Sequence, residues 1–140
     1  MQSTLCCLAI VAVSLVAATN FDFTGAVKCE SDSRWCFTVR GIEVDLISDD
    51  ELVKYDKCQT GEKIVKFTMV GVDDDDGLLD NNFEIALQVT HNCSSSHEKI
   101  VTSDYNSVPV KEVAYAMSKN FDLNTNQVVP EIPLVRKIKD

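Results

Sequence analysis

Apolar and polar residues alternate with a period of two through most of the chain beyond its first eighteen positions. The pattern is clearest over residues 83–93. There Phe83, Ile85, Leu87, Val89, His91 and Cys93 fall on one side, and Glu84, Ala86, Gln88, Thr90 and Asn92 on the other. Successive side chains of a strand point to opposite faces, so this stretch predicts a strand with one face in a core and the other in solvent. Burying its Phe, Ile, Leu and Val should contribute about 1.5–3 kcal/mol each, enough to make it the central strand. The same period predicts strands over residues 21–29, 35–41, 42–46, 64–72, 100–102 and 113–123, with 52–58 as a weaker, edge-like strand. Val65, Phe67 and Met69 should share an inner face. Residues 59–62, 73–77, 80–82 and 94–96 are turn-like, residues 106–109 read as a loop, and the tail from Gln127, with Pro130 and Pro133, reads as extended surface chain. Residues 110–117 contain good helix formers, but the run is short and no cap follows it, so a strand is preferred. Short strands between regularly spaced turns predict an all-β, two-sheet sandwich.

The first eighteen residues differ in kind. From Leu5 to Ala18 there is no charged side chain. The run is shorter than the ~20 apolar residues that a spanning helix needs. It ends in Val16-Ala17-Ala18, the kind of small-residue site that a signal peptidase reads. Residues 1–18 are therefore expected to be a secretory signal and residues 19–140 one domain, secreted to the extracellular space and not membrane-spanning. The formal net charge of -9 argues against nucleic acid and against docking on anionic lipid.

Cys6 and Cys7 fall within the expected signal. Cys29, Cys36, Cys58 and Cys93 remain, an even number that reads in an oxidising compartment as up to two disulfides with three possible connectivities. No C-x-x-C pair accompanies them and the two histidines lack zinc-finger spacing, so no metal is assigned. His91 and Cys93 share a face, but residues two apart on a strand lie roughly 7 Å apart, too far for an activated thiol-imidazole pair. They read as a packed histidine beside a structural cysteine, with His97 solvated in its turn. Asn92-Cys93-Ser94 is a glycosylation sequon on the polar side of the strand. Asp73 to Asp76 could gather oxygen ligands, but no glutamate closes the loop at calcium-binding spacing, so it reads as a solvated acidic loop.

The order of landmarks resembles the transthyretin-like family of secreted nematode proteins. Gly25-Ala-Val-Lys-Cys29 is similar to its first strand, Val44-Asp-Leu-Ile-Ser-Asp49 to a strand ending in Asp, and Thr60-Gly61 with Val65-Lys-Phe67 to a turn and a Phe-bearing strand. His91-Asn92-Cys93 matches a strand ending in His-x-Cys, the most specific element, and residues 113–123 match a late strand. The resemblance implies a transthyretin-like, prealbumin-like sandwich of immunoglobulin-like architecture. Two departures stand out. The 29–36 connection is expanded and holds an extra Cys, and Ser94-Ser-Ser-His97 stands where the family has a further Cys after His-x-Cys. In the family's topology, Cys29, Cys36 and Cys58 are then expected at one end, with at least one disulfide among them. Cys93 is expected free at the other end.

Relatives of transthyretin include hydrolases of a purine-degradation intermediate, recognised by a Tyr-Arg-Gly-Ser C-terminus that Val135-Arg-Lys-Ile-Lys-Asp140 does not match. The expectation is a non-catalytic extracellular binding protein without a cofactor. Its ligand would be an apolar or lipid molecule between the sheets, or a cell-surface protein at the loops. The purine-intermediate hydrolase is the alternative.

Overall fold

The computed structural model describes residues 18–73 and 81–132. Residues 1–17 of the expected signal, most of the Asp73–Asp76 loop and the last eight residues lie outside these. Nine strands and no helix occur among the described residues. They are β1 (Thr19–Lys28), β2 (Trp35–Glu43), β3 (Asp50–Gln59), β4 (Ile64–Asp73), β5 (Asn82–His91), β6 (Lys99–Thr102), β7 (Asn106–Pro109), β8 (Ala114–Asp122) and β9 (Gln127–Val129). One sheet has the order β4-β1-β8-β9. The other has the order β3-β2-β5-β6, with β7 also paired to β5. The two sheets enclose one core, so the all-β sandwich read from the alternation is the fold.

The inner faces carry that core. Phe21, Phe23, Val27, Val65, Phe67, Met69, Met117 and Phe121 come from the first sheet, and Trp35, Phe37, Val39, Phe83, Ile85, Leu87 and Val89 from the second. Phe21 meets Phe83 edge to face across the layer, ring centroids 5.4 Å apart. β5 is central in its sheet, as its composition required: β2 runs along one side, and β6 with β7 along the other.

Four expectations need correcting. Residues 106–109 are a strand, not a loop. β6 and β7 are two halves of one edge, interrupted where the Ser103 hydroxyl accepts the Leu87 N–H at 3.0 Å in place of a backbone carbonyl. Gln127–Val129 pairs with the end of β8 and is no free tail. Leu46 is fully exposed instead of inward. The β2–β3 register shifts between Gly41 and Ile42, after which Ile42 and Glu43 are both buried and the chain leaves the sheet. The fourth correction concerns Ala86, placed on the solvent side by the alternation but 1% exposed. A methyl group there is too small to stand clear of its neighbours.

Antiparallel pairing of β2 with β5 decides the positions that matter for function. Phe37 opposes His91 and Glu43 opposes Ile85, so the start of β2 and the end of β5 share one end of the sandwich. At the opposite end lie the end of β2, the start of β3 and the end of β4.

Candidate functional site

All four described cysteines gather at the first of these ends. Cys36 and Cys58 are directly opposed on β2 and β3 and form a disulfide, Cα atoms 4.0 Å apart. Cys29, just after β1, is bonded to Cys93, just after β5, Cα atoms 5.8 Å apart. The expected bridge within the first three cysteines is therefore present. The expectation of a free Cys93 at the far end is overturned. Because β5 runs antiparallel to β2, its last residues arrive beside Cys36, at the same end as the close of β1. The Cys29–Cys93 bond ties one sheet to the other, while Cys36–Cys58 staples an edge strand to its neighbour.

Asparagines complete this end. The Asn92 side-chain oxygen accepts the Cys36 N–H at 2.7 Å, and the Asn92 N–H donates to the Cys36 carbonyl at 3.2 Å. Asn92 is half-buried, so the sequon asparagine has a structural task besides its place on the polar side of the strand. Asn124 accepts the Glu30 N–H at 3.0 Å. Asn126, in the turn before β9 with φ 56°, sits 2.9 Å from His91 Nε2 and donates to the Ile100 carbonyl at 3.1 Å. His91 Nδ1 accepts the Cys93 N–H at 3.2 Å, so the ring proton belongs on Nε2, where Asn126 accepts it. His91 is 2% exposed. Burial pushes its pKa below the ordinary 6.5, with the Asn126 contact opposing the shift. Both ring nitrogens and the neighbouring sulfur are thus occupied. This is an arrangement that holds a strand end together, with no nucleophile or base presented to a substrate.

The opposite end is acidic. Glu43 is 8% exposed, and carboxylate oxygens of Glu43, Asp45 and Asp50 lie within 4.8 Å of one another. Burial first, then Asp73 beside it, pushes Glu43 up to about 8, so it holds a proton at neutral pH. From this end the 44–49 connection projects Leu46 and Ile47, 105% and 99% exposed. A fully exposed Leu-Ile pair flanked by Asp45 and Asp49 is a feature that a purely structural connection does not need. Alternation hid it, because Ile42, Val44 and Leu46 fit a strand period, whereas β2 pairs with β5 in unbroken register only as far as Glu43 and the chain then leaves the sheet. Asn126 also escaped the sequence reading. Its one signal, an asparagine within the short Asn124-Thr125-Asn126 turn, indicates a left-handed turn position but not its partner on another strand.

His97 is exposed in its turn, where its N–H donates to the Ser95 hydroxyl at 3.1 Å, and it is not one of His91's ring partners. Of the aspartates at 73–76, only Asp73 is described. Among the described residues, no helix is long and apolar enough to cross a membrane.

Comparison with known proteins gives a family without a stated activity. The family model described as "Caenorhabditis elegans protein of unknown function (DUF870)" matches residues 24–129. An uncharacterised protein of Caenorhabditis elegans is 37% identical over 110 residues, covering 76% of this chain and 83% of that protein. No solved structure matches.

Proposed function

The chain belongs to that nematode family of unknown function, and from its geometry we propose that it is a secreted, extracellular, non-catalytic binding protein with a transthyretin-like fold. Support for the fold type comes from the landmarks of the resemblance. The Gly25–Cys29 segment and the His91–Cys93 segment lie in opposite sheets and are joined by a disulfide. Two disulfides in one small domain support an oxidising compartment.

Binding is carried by one observation: Leu46 and Ile47 stand fully exposed at the tip of a connection anchored by acidic residues. Loops held on a rigid sandwich are suited to recognition. The space between the sheets is filled by Trp35 and the core phenylalanines, which favours a protein partner at the loops over an apolar molecule between the sheets. A matching partner surface has an apolar cleft with a basic rim. It would be a cell-surface or extracellular protein, and no cofactor is needed.

The test compares wild-type protein with Leu46→Ser/Ile47→Ser in capture of partners from extracellular fluid, with melting temperatures recorded for both. The expected result is a specific partner lost by the variant, whose melting temperature stays within a few degrees because the two residues touch no core. Equal capture by both proteins would contradict the assignment of this loop. The hydrolase reading is tested by assaying the purine-degradation intermediate. Turnover that disappears in a folded His91→Ala or His97→Ala variant would replace the binding reading.

A further inference from the structure

Side chains cross the outer face of the four-stranded sheet in rows set by its register. Ala26 of β1 stands in one row with Lys66 of β4. Toward the acidic end, Thr24 stands with Thr68, Asp22 with Val70 and Asn20 with Val72. These rows are covered unequally. Ala26 is buried although it is on the outer side of β1, whereas Asn20, Asp22 and Thr24 are exposed. Asn120 and the chain beyond β9 lie over Ala26. Asn120 Oδ1 accepts the Ala26 N–H at 3.1 Å, and Asn120 Nδ2 donates to the Pro130 carbonyl at 3.1 Å. Glu131 and Ile132 then line a cleft of about 220 Å³ with Ala26, Asn120, Ile64 and Lys66.

Past this cleft the face carries apolar side chains in the open. Val70 and Val72 are 57% and 55% exposed. Ala114 and Ala116, in the same two rows on β8, are too small to shelter them. Among the described residues, no ion pair includes Asp22.

The sequence beyond Ile132 carries what this face lacks. Pro133-Leu-Val-Arg-Lys-Ile-Lys-Asp140 has three basic residues against one acidic, a net +2 that leaves -11 on the rest of a chain of -9. In an extended chain, Ile132, Leu134, Arg136 and Ile138 share one side. With Ile132 at the Ala26 row, two residues per row bring Leu134 to Thr24, Arg136 to Asp22 and Ile138 to Asn20 and Val72. Six residues of extended chain cover about 20 Å, which is also the separation of the Ala26 and Asn20 rows. Charge sets the direction. Running the other way would bring the basic residues to Lys28 and Lys63, where the sheet's own cations lie.

We propose that residues 133–138 lie as a strap along this face, from the cleft at Ala26 to Val72. Leu134 and Ile138 pack on the sheet, and Arg136 pairs with Asp22. The strap closes apolar surface that the sheet leaves open and carries the basic segment toward the acidic end. It stands apart from Leu46 and Ile47 and does not depend on a partner there.

Methyl NMR on the oxidised full chain tests this. Contacts of Ile138 with Val72 and of Leu134 with Thr68 are expected. They should be independent of concentration and absent from an isotope-filtered spectrum that reports only contacts between copies. Trypsin cleavage after Lys137, relative to the unfolded chain, measures how much of the strap is open. Val70→Thr/Val72→Thr alters two exposed side chains and keeps strand formers, and it should speed this cleavage roughly tenfold. Asp22→Arg and Arg136→Asp should each speed it about three- to fivefold, and the two together should restore it. Absence of the methyl contacts, with cleavage as fast as in the unfolded chain, would overturn the proposal. So would contacts found only between copies, which would make a second copy the occupant, or a double variant cleaved no more slowly than the single ones.

Discussion

His91 and Cys93 show how residue types that suggest chemistry can be committed to structure. An imidazole that accepts the Cys93 N–H through Nδ1 and donates to Asn126 through Nε2 has no nitrogen left to take a substrate proton. The sulfur beside it is closed by Cys29. Removing the ring leaves the Cys93 N–H and the Asn126 side-chain oxygen without their partner in a buried place, and opens a cavity among core residues. His91→Ala is therefore expected to cost about 2–4 kcal/mol, measured by denaturant unfolding of the oxidised protein. His97→Ala, exposed in its turn, should stay within about 0.5 kcal/mol. Equal costs for the two variants would mean that the Asn126 contact contributes nothing. The burial of His91 was legible in the alternation. Its partner was not, because Asn126 lies 35 residues away on the other sheet's turn, and such a pairing leaves no local pattern.

At the scale of elements, the central strand pair depends on one close approach. A Cβ built on Gly25 of β1 would lie 1.8 Å from the Lys119 carbonyl oxygen of β8 and 2.7 Å from the Phe67 ring of β4. Neither backbone nor a packed ring can yield that much, so Gly25→Ala must push β1 away from β8. Destabilisation of about 3 kcal/mol or more is expected, read from the shift in denaturant midpoint, against the 1–3 kcal/mol usual for an added methylene in a core. A midpoint near that of the wild type would show that β1 and β8 are not packed this tightly. The strands themselves were mostly legible, since a period of two with large apolar residues has few other solutions. What escaped has physical causes. β2 ends at Glu43 and so leaves Leu46 outside the sheet, and a strand split at Ser103 hid β7. β9 is three residues long, too short to establish any period. Cys93 was misplaced for a related reason: alternation locates a strand's faces but not which end of the sandwich it reaches, and only the antiparallel pairing with β2 supplies that.

Taken as a whole, the molecule is polarised, with disulfides and asparagines at one end and carboxyl groups at the other, and the two ends respond to pH in opposite senses. Glu43 titrates at about 8 in the folded protein against an ordinary 4.5, because burial and Asp73 disfavour its charge. Between those values the folded state holds more proton than the unfolded chain. Stability from this group is complete below 4.5 and is lost as pH rises through about 8. His91 is lowered in the folded state, so its contribution is present above 6.5 and is lost as pH falls below that. Glu30, lowered by Lys28 and Lys63, acts only below its ordinary 4.5, and Lys63, raised by Glu30 and Asp32, only above its ordinary 10.5. From pH 6.5 to about 8, Glu43 alone among these four groups acts, and the melting temperature should fall with rising pH. Glu43→Gln keeps the shape without the titration and should flatten the profile over that interval, while its rise with pH below 6.5 from His91 persists. A wild-type profile already flat from 6.5 to 8, or a fall that survives in Glu43→Gln, would show that the proton is not held there.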